Sequence, residues 1–410
     1  MTEVTTGRRE RKKARTRQVI ADTALDLFLA RGFDQVSVKD VAAAADVSMS
    51  GLFKHFPTKE SLVFDEEADV EAGLVAAVRD RPGGTSPLEA LRVWLLGSRY
   101  GAEPADPRTA AFSELVAGTP ALRDHARRMW LRYEEELAAA ISRAGPDVPG
   151  ADVAARAVAR FVLDHAQPWH RDDPRGELDA AFALLTDGWP APELRSAPAT
   201  PPPAPPSPTR PPGLRERKKA QTRRAITTAA RELFAERGYD DVGVREVADA
   251  AGTSLATLFT YFPDGKASLV FPGNRDDNAA VLARVVRLRA PGQTVLRALH
   301  DHLATRGPFD PDPAPEQRRV LDLVRATPEL SDYALRTWTA LQDPLAAAIA
   351  GEAGVPADDL TTRLLARYVL QIPDLAHTTT DPRRTLDVVT DLLEHGWPAG
   401  LTDRLGNGAG

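Results

Sequence analysis

An all-α protein built from two tandem copies of one domain is what this 410-residue sequence predicts. Three observations carry the prediction. Arg9-Glu-Arg-Lys-Lys-Ala-Arg-Thr-Arg17 returns as Arg215-Glu-Arg-Lys-Lys-Ala-Gln-Thr-Arg223, and residues 9–56 match 215–262 at 25 of 48 positions without a gap. The echo runs on to Gly188-Trp-Pro190 and Gly396-Trp-Pro398, so the repeated unit is a whole domain, far longer than a solenoid repeat. Finally, apolar residues recur at helical spacing, and no sustained apolar–polar alternation argues for a sheet.

Each copy opens on a basic segment that runs into an amphipathic helix. Ile20, Ala24, Leu27 and Phe28 share one face, and Ile226, Ala230, Leu233 and Phe234 repeat it. Gly32 and Gly238 are placed to stop these helices as left-handed caps. Ser37 can cap the next, short helix, with Asp40 completing a variant of the capping box and Val38, Val41 and Ala42 facing inward. Ala45-Asp46-Val47 makes a tight turn, and Ser48 caps a second short helix carrying Leu52, Phe53 and Phe56. Two short helices so joined fit either an ordinary αα-corner or the motif whose second helix enters the major groove of DNA. The basic segment upstream and the occurrence of the whole arrangement twice favour the second.

Further on, Thr119-Pro120 and Thr327-Pro328 are helix starts with proline at the first helical position. Leu122, Ala126, Met129, Trp130, Tyr133, Leu137 and Ile141 form one long stripe; Leu330, Ala334, Trp338, Leu341, Leu345 and Ile349 form its counterpart. Residues 191–212 hold ten prolines and no aromatic residue, a composition that builds a semi-rigid linker rather than a core. The expected organisation is a head at 9–70, a helical domain at 71–190, a linker at 191–214, a second head at 215–276 and a second helical domain at 277–398.

The net charge of −6 looks wrong for a nucleic-acid binder until it is divided. Residues 1–60 carry 11 Lys/Arg against 8 Asp/Glu and residues 213–270 carry 10 against 8, leaving −11 for the rest. Positive charge is concentrated at the start of each copy, which makes a local basic footprint on an acidic protein. The absence of cysteine excludes disulfides, thiolate zinc sites and cysteine nucleophiles. With no secretory signal and no run of about 18 apolar residues, a soluble cytoplasmic protein without a membrane partner is expected.

The run Arg17…Ile20…Ala24…Leu27-Phe28…Gly32-Phe33…Val36-Ser-Val…Val41-Ala42…Ala45-Asp-Val-Ser48…Gly51-Leu-Phe-Lys-His-Phe56-Pro-Thr-Lys-Glu60 resembles the N-terminal domain of TetR/AcrR-type transcriptional regulators. The second copy matches from Arg223 through Phe262-Pro263 to Lys266. The motif covers about 50 residues in each half; the remainder fits the family's helical effector domain in size and periodicity. The resemblance implies that Ser48, Met49, Ser50, Gly51, Lys54 and His55 lie toward the groove, with Ser254, Leu255, Ala256, Thr257, Thr260 and Tyr261 in the second head. Ser37 stands with them. Lys59 and Lys266, at the start of the next helix, would meet phosphate. Arg11, Lys12 and Lys13, with Arg217, Lys218 and Lys219, would track the backbone or enter the minor groove. Phe53 and Phe259 replace the family's usual recognition-helix tyrosine, so its hydroxyl contact is lost.

The second head also inserts Gly265 and places Pro272-Gly273 just after Phe271, which should break the helix connecting it to its effector domain. The first copy, with Asp65-Glu66-Glu67 there, should be the better coupled. Trp94, Trp130 and Trp169, with Trp338, are candidates to line an apolar effector pocket, although tryptophans at such spacing more often fill a core. The eight histidines show no metal-ligand spacing, and no cofactor is expected. No nucleophile, base and orienter come together, so an enzyme is not expected. The expected function is sequence-specific repression relieved by a small molecule, one chain binding an imperfect palindrome by internal pairing. The rival is a sensor or interaction protein whose heads no longer read DNA.

Overall fold

The computed structural model describes residues 3–65, 67–98, 107–165, 173–189, 214–271, 275–377 and 379–397. The expected linker, Trp169 and the Pro272-Gly273 pair lie outside these residues. Every described element is a helix or a short 3-10 turn. No described helix is long and apolar enough to cross a membrane. The chain packs as two units, Met1–Phe182 and Ala183–Gly410.

In the first unit, α1 (Glu3–Arg31), α2 (Val38–Ala44) and α3 (Met49–His55) form the head. Gly32, at φ +84°, ends α1 by donating its N–H to the Phe28 carbonyl at 2.8 Å. Ile20, Ala24, Phe28, Phe33, Val36, Val41, Leu52 and Phe56 close the head's core. The connecting helix α4 (Glu67–Arg79) follows, then α5 (Pro87–Gly97), α6 (Pro107–Gly118), α7 (Pro120–Ala144), α8 (Ala151–His165) and most of α9 (Pro174–Asp187). Pro120 opens α7, whose missing N–H would have had no partner in the first turn. The helix then runs 25 residues and buries Leu122, Met129, Tyr133, Leu137 and Ile141. The head rests on its own helical domain through Arg108 paired with Asp26 at 2.9 Å and Phe64 stacked on His125 at 5.3 Å.

The second unit repeats the plan with α10 (Leu214–Arg237), α11 (Val244–Ala250), α12 (Leu255–Tyr261), α13 (Arg275–Arg287) and α14 (Val295–Leu303). It continues with α15 (Pro315–Ala326), α16 (Pro328–Thr339), α17 (Gln342–Ala353), α18 (Leu360–His377) and α19 (Pro382–His395). One expectation needs correcting. The stripe from Leu330 to Ile349 is two helices, because Pro344 has no N–H to give and its ring crowds the carbonyl one turn back; the first copy has Glu136 there. The break expected at Pro272-Gly273 falls outside the described residues; α13 begins after it at Arg275 and, like α4, has 13 residues. The second head docks firmly on its own domain. Tyr239 donates its hydroxyl to Glu329 at 2.7 Å, Phe271 stacks on Tyr333 at 5.4 Å, and Val324 and Leu330 join the head's core. Burial and the Glu329 carboxylate raise the Tyr239 phenol above its usual range, which keeps it a donor.

The second unit also holds the last turn of α9 and the Gly-Trp pair after it. There the Trp189 N–H donates to the Leu393 carbonyl at 2.7 Å, and the Trp397 N–H donates to the Leu185 carbonyl at 2.8 Å. Gly188 and Gly396, at φ +78° and +77°, make the approach possible, since a Cβ on either would strike the other segment's backbone. Asp391, Glu394 and His395 bring potential ligand atoms within 4.8 Å of one another. Arg297 pairs with both carboxylates, so the cluster is an ion-pair network that ties α14 to α19.

Candidate nucleic-acid interface

Capping side chains set both helix-turn-helix units. The Ser37 hydroxyl donates to Asp40 at 2.7 Å and accepts the Asp40 N–H, while the Ser37 N–H donates to the same carboxylate at 2.8 Å. Those bonds hold the Asp40 carboxyl below its usual range. The second head replaces the serine with Gly243, whose N–H donates to Glu246 at 2.9 Å. The turn needs one left-handed residue: Asp46 at φ +54° in one head and Gly252 at φ +63° in the other. Ser48 then caps α3 by accepting the Gly51 N–H, and Ser254 caps α12 by accepting the Thr257 N–H, each at 3.1 Å.

The second helix of each pair is anchored on one side and open on the other. Leu52 and Phe56 are buried, as are Leu258 and Phe262. Met49, Ser50, Phe53 and Lys54 are exposed; so are Ala256, Phe259 and Thr260, with Leu255, Thr257 and Tyr261 half-buried. Arg11, Lys12, Lys13, Arg217, Lys218 and Lys219 stand exposed along α1 and α10. His55 is half-buried, and burial followed by the charges of Arg17 and Lys13 lowers its pKa. Ser37, Ser48 and Ser254 spend a hydroxyl interaction on capping.

Lys59 and Lys266 begin short 3-10 turns rather than full helices. The Lys59 ammonium donates to the Phe33 carbonyl at 2.6 Å and lies 4.1 Å from the Phe33 ring centroid. Lys266 does the same with Tyr239. Each therefore braces the loop after the first helix of its head. Arg17, which sequence reasoning placed in the basic arm, is turned inward: it donates to the His55 carbonyl at 2.7 Å and the Asp65 carbonyl at 3.0 Å. It also pairs with the Asp65 carboxylate at 2.7 Å and covers the Phe56 ring. These partners lie 38 and 48 residues away, and no local pattern announces them.

A salt titration separates these roles. Replacing Arg11, Lys12 and Lys13 together with alanine is expected to flatten the slope of log affinity against log salt by about 2.7 units, near 0.9 per lost phosphate contact. Lys59→Met is expected to lower the melting temperature and leave that slope unchanged. A slope that falls by about one unit in Lys59→Met would return this lysine to the phosphate surface.

Of the tryptophans, Trp94 packs against Gly73 of α4 and Trp130 sits edge-on to Tyr133 at 5.4 Å. Trp338 is half-buried, and its buried indole N–H has no acceptor.

Two helix-turn-helix heads, each with an open second helix, a basic approach and a helical domain behind it, define a DNA-binding regulator. Residues 20–65 and 226–271 both match the family described as bacterial regulatory proteins, tetR family, and residues 293–398 match the MftR C-terminal domain. The chain is 32% identical over 163 residues to the HTH-type transcriptional regulator TcmR of Streptomyces glaucescens, covering 38% of this chain and 70% of that one. It is 30% identical over 194 residues to the HTH-type transcriptional repressor Rv1474c of Mycobacterium tuberculosis, covering 45% of this chain and 97% of that one. It is 27% identical over 185 residues to the putative mycofactocin biosynthesis transcriptional regulator MftR of Mycobacterium tuberculosis, covering 43% and 93%. The chain belongs to the TetR family, as two copies fused in tandem. Nearly whole relatives fit within less than half of it.

Proposed function

We propose that this regulator is a ligand-responsive repressor that works as a single-chain pseudo-dimer, its two heads reading the two halves of one imperfect palindrome. The observation that carries the single-chain reading is the clasp between residues 185–189 and 393–397. Leu185 corresponds to Leu393 and Trp189 to Trp397, and each tryptophan N–H reaches the other segment's leucine carbonyl. Reciprocal pairing of i with j and j with i is the mark of an isologous, two-fold interface. Here both segments of that reciprocal pair come from one chain. The tether makes this pairing intramolecular, so it outcompetes association between chains.

The palindrome is imperfect because the second helices differ where they are open. Ser50, Gly51, Lys54 and His55 in one head correspond in sequence to Ala256, Thr257, Thr260 and Tyr261 in the other. A mismatched half-site then costs about 1–3 kcal/mol. The effector is a largely apolar molecule with one hydrogen-bond acceptor, and it enters beside Trp338, whose indole N–H lacks a partner. Repression is relieved because the bound effector favours a head arrangement that does not fit the operator.

Footprinting with the full chain tests this reading. A single protected site with two unlike halves, released by an apolar compound from wild type and not from Trp338→Phe, is expected. Protection of unrelated sequences alike would mean that the heads do not read DNA specifically. Release that depends on Trp130 instead would move the effector to the first copy.

A further inference from the structure

We infer that the apolar pairs Met49–Phe53 and Leu255–Phe259 read thymine, each by packing on the C5-methyl group in the floor of the major groove. The inference rests on the proposal that both heads bind DNA, and it assigns the base chemistry that they select. Phe53 is 47% exposed, Phe259 45% and Met49 39%, on helices whose neighbouring face buries Leu52 and Leu258. The members of each pair are four residues apart, one turn on the same helix face. Exposure of the aromatic ring is therefore built in twice, at the same position of α3 and α12, with Leu255 half-buried where Met49 is exposed, while the polar positions between and beside them change from Ser50 and Lys54 to Ala256 and Thr260. An aromatic ring left open to water on each of two short helices, joined in α3 by the exposed Met49 chain, calls for an apolar partner.

The surroundings say what kind. Lys54 is exposed beside the first pair, and the exposed cations of α1 and α10 stand in the same heads, so the partner is a polyanion. The major groove of DNA is rimmed by phosphates, and the one apolar group it presents on its base edges is the thymine methyl. A phenyl ring has no donor or acceptor, so Phe53 and Phe259 cannot replace that contact with a hydrogen bond to a base edge or a phosphate. Their contribution to recognition is the methyl.

Uracil differs from thymine by that methyl alone, which gives a direct test. A random-sequence duplex pool is selected on the full chain, and the winning duplex is remade with uracil at one thymine at a time. At the contacted thymines, affinity at fixed salt should fall about fourfold per methyl removed. F53A should lose the uracil penalty in one half-site and F259A in the other, with helix content and melting temperature kept. A selected duplex that binds equally well with uracil at every position overturns the inference. So does an F53A chain that keeps the full penalty, or that weakens thymine and uracil duplexes alike. If no duplex is enriched at all, the DNA-binding proposal falls, and this inference with it.

Discussion

Gly396→Val is expected to lower stability by at least about 2 kcal/mol and to weaken operator binding with it. Gly396 sits at φ +77°, ψ 176°, a region that L-residues essentially do not occupy. The strain is only part of the cost. A Cβ there would strike the Thr186 carbonyl, and the clasp would have to open to make room. Opening it leaves the Trp397 N–H and the Leu185 carbonyl to find other partners. Gly84→Val is the control: at φ +86° it has nothing within 4 Å of a new Cβ, so it should cost the strain alone. Thermal melts of the two variants measure the difference. If Gly396→Val melted no lower than Gly84→Val, the close approach would contribute nothing to stability.

The second large effect is an asymmetry between two arginines in equivalent positions. Arg17→Ala should cost about 2–3 kcal/mol, since charged hydrogen bonds to two carbonyls are lost and a mostly buried Asp65 loses its ion pair with Arg17. Arg223→Ala should cost less than about 1 kcal/mol. Arg223 covers the Phe262 ring at 4.9 Å, but its Nε is buried without an acceptor, and the position corresponding to Asp65 carries Pro272. Arg17 joins the end of the recognition helix to the start of the connecting segment, so its loss should also weaken DNA binding by the first head. Chemical denaturation of the two variants reads the ratio. Equal costs would show that the Asp65 contacts are screened by solvent and do not brace the head.

Much of this fold was legible because its signals are local. Ser37 with Asp40, Ser48 with Gly51 and Thr119 with Pro120 are caps and starts that lie within three residues, and each forms as the spacing predicts, apart from Thr119, which makes no side-chain cap bond. The helical stripe ending at Ile349 misled because apolar periodicity survives a helix break: Pro344 interrupts the backbone without disturbing the spacing of Leu341, Leu345 and Ile349. At the candidate site, the spacing of Leu52 and Phe56 already told which face of α3 is buried and which leaves Met49, Phe53 and Lys54 exposed. The site was not legible where a cation turns inward. Arg17, Lys59 and Lys266 look like phosphate ligands in a basic sequence, yet each donates to a backbone carbonyl brought near by folding and lies over an aromatic ring. The repeated Gly-Trp-Pro was visible from the start, but its reciprocal hydrogen bonds exist only once two segments more than 200 residues apart have met.

The central claim is that one chain supplies both halves of a two-fold regulator. Light scattering on the complex with a single operator duplex tests it most directly. One 44.3 kDa chain per duplex is the predicted result. Two chains per duplex, unchanged by dilution, would contradict it.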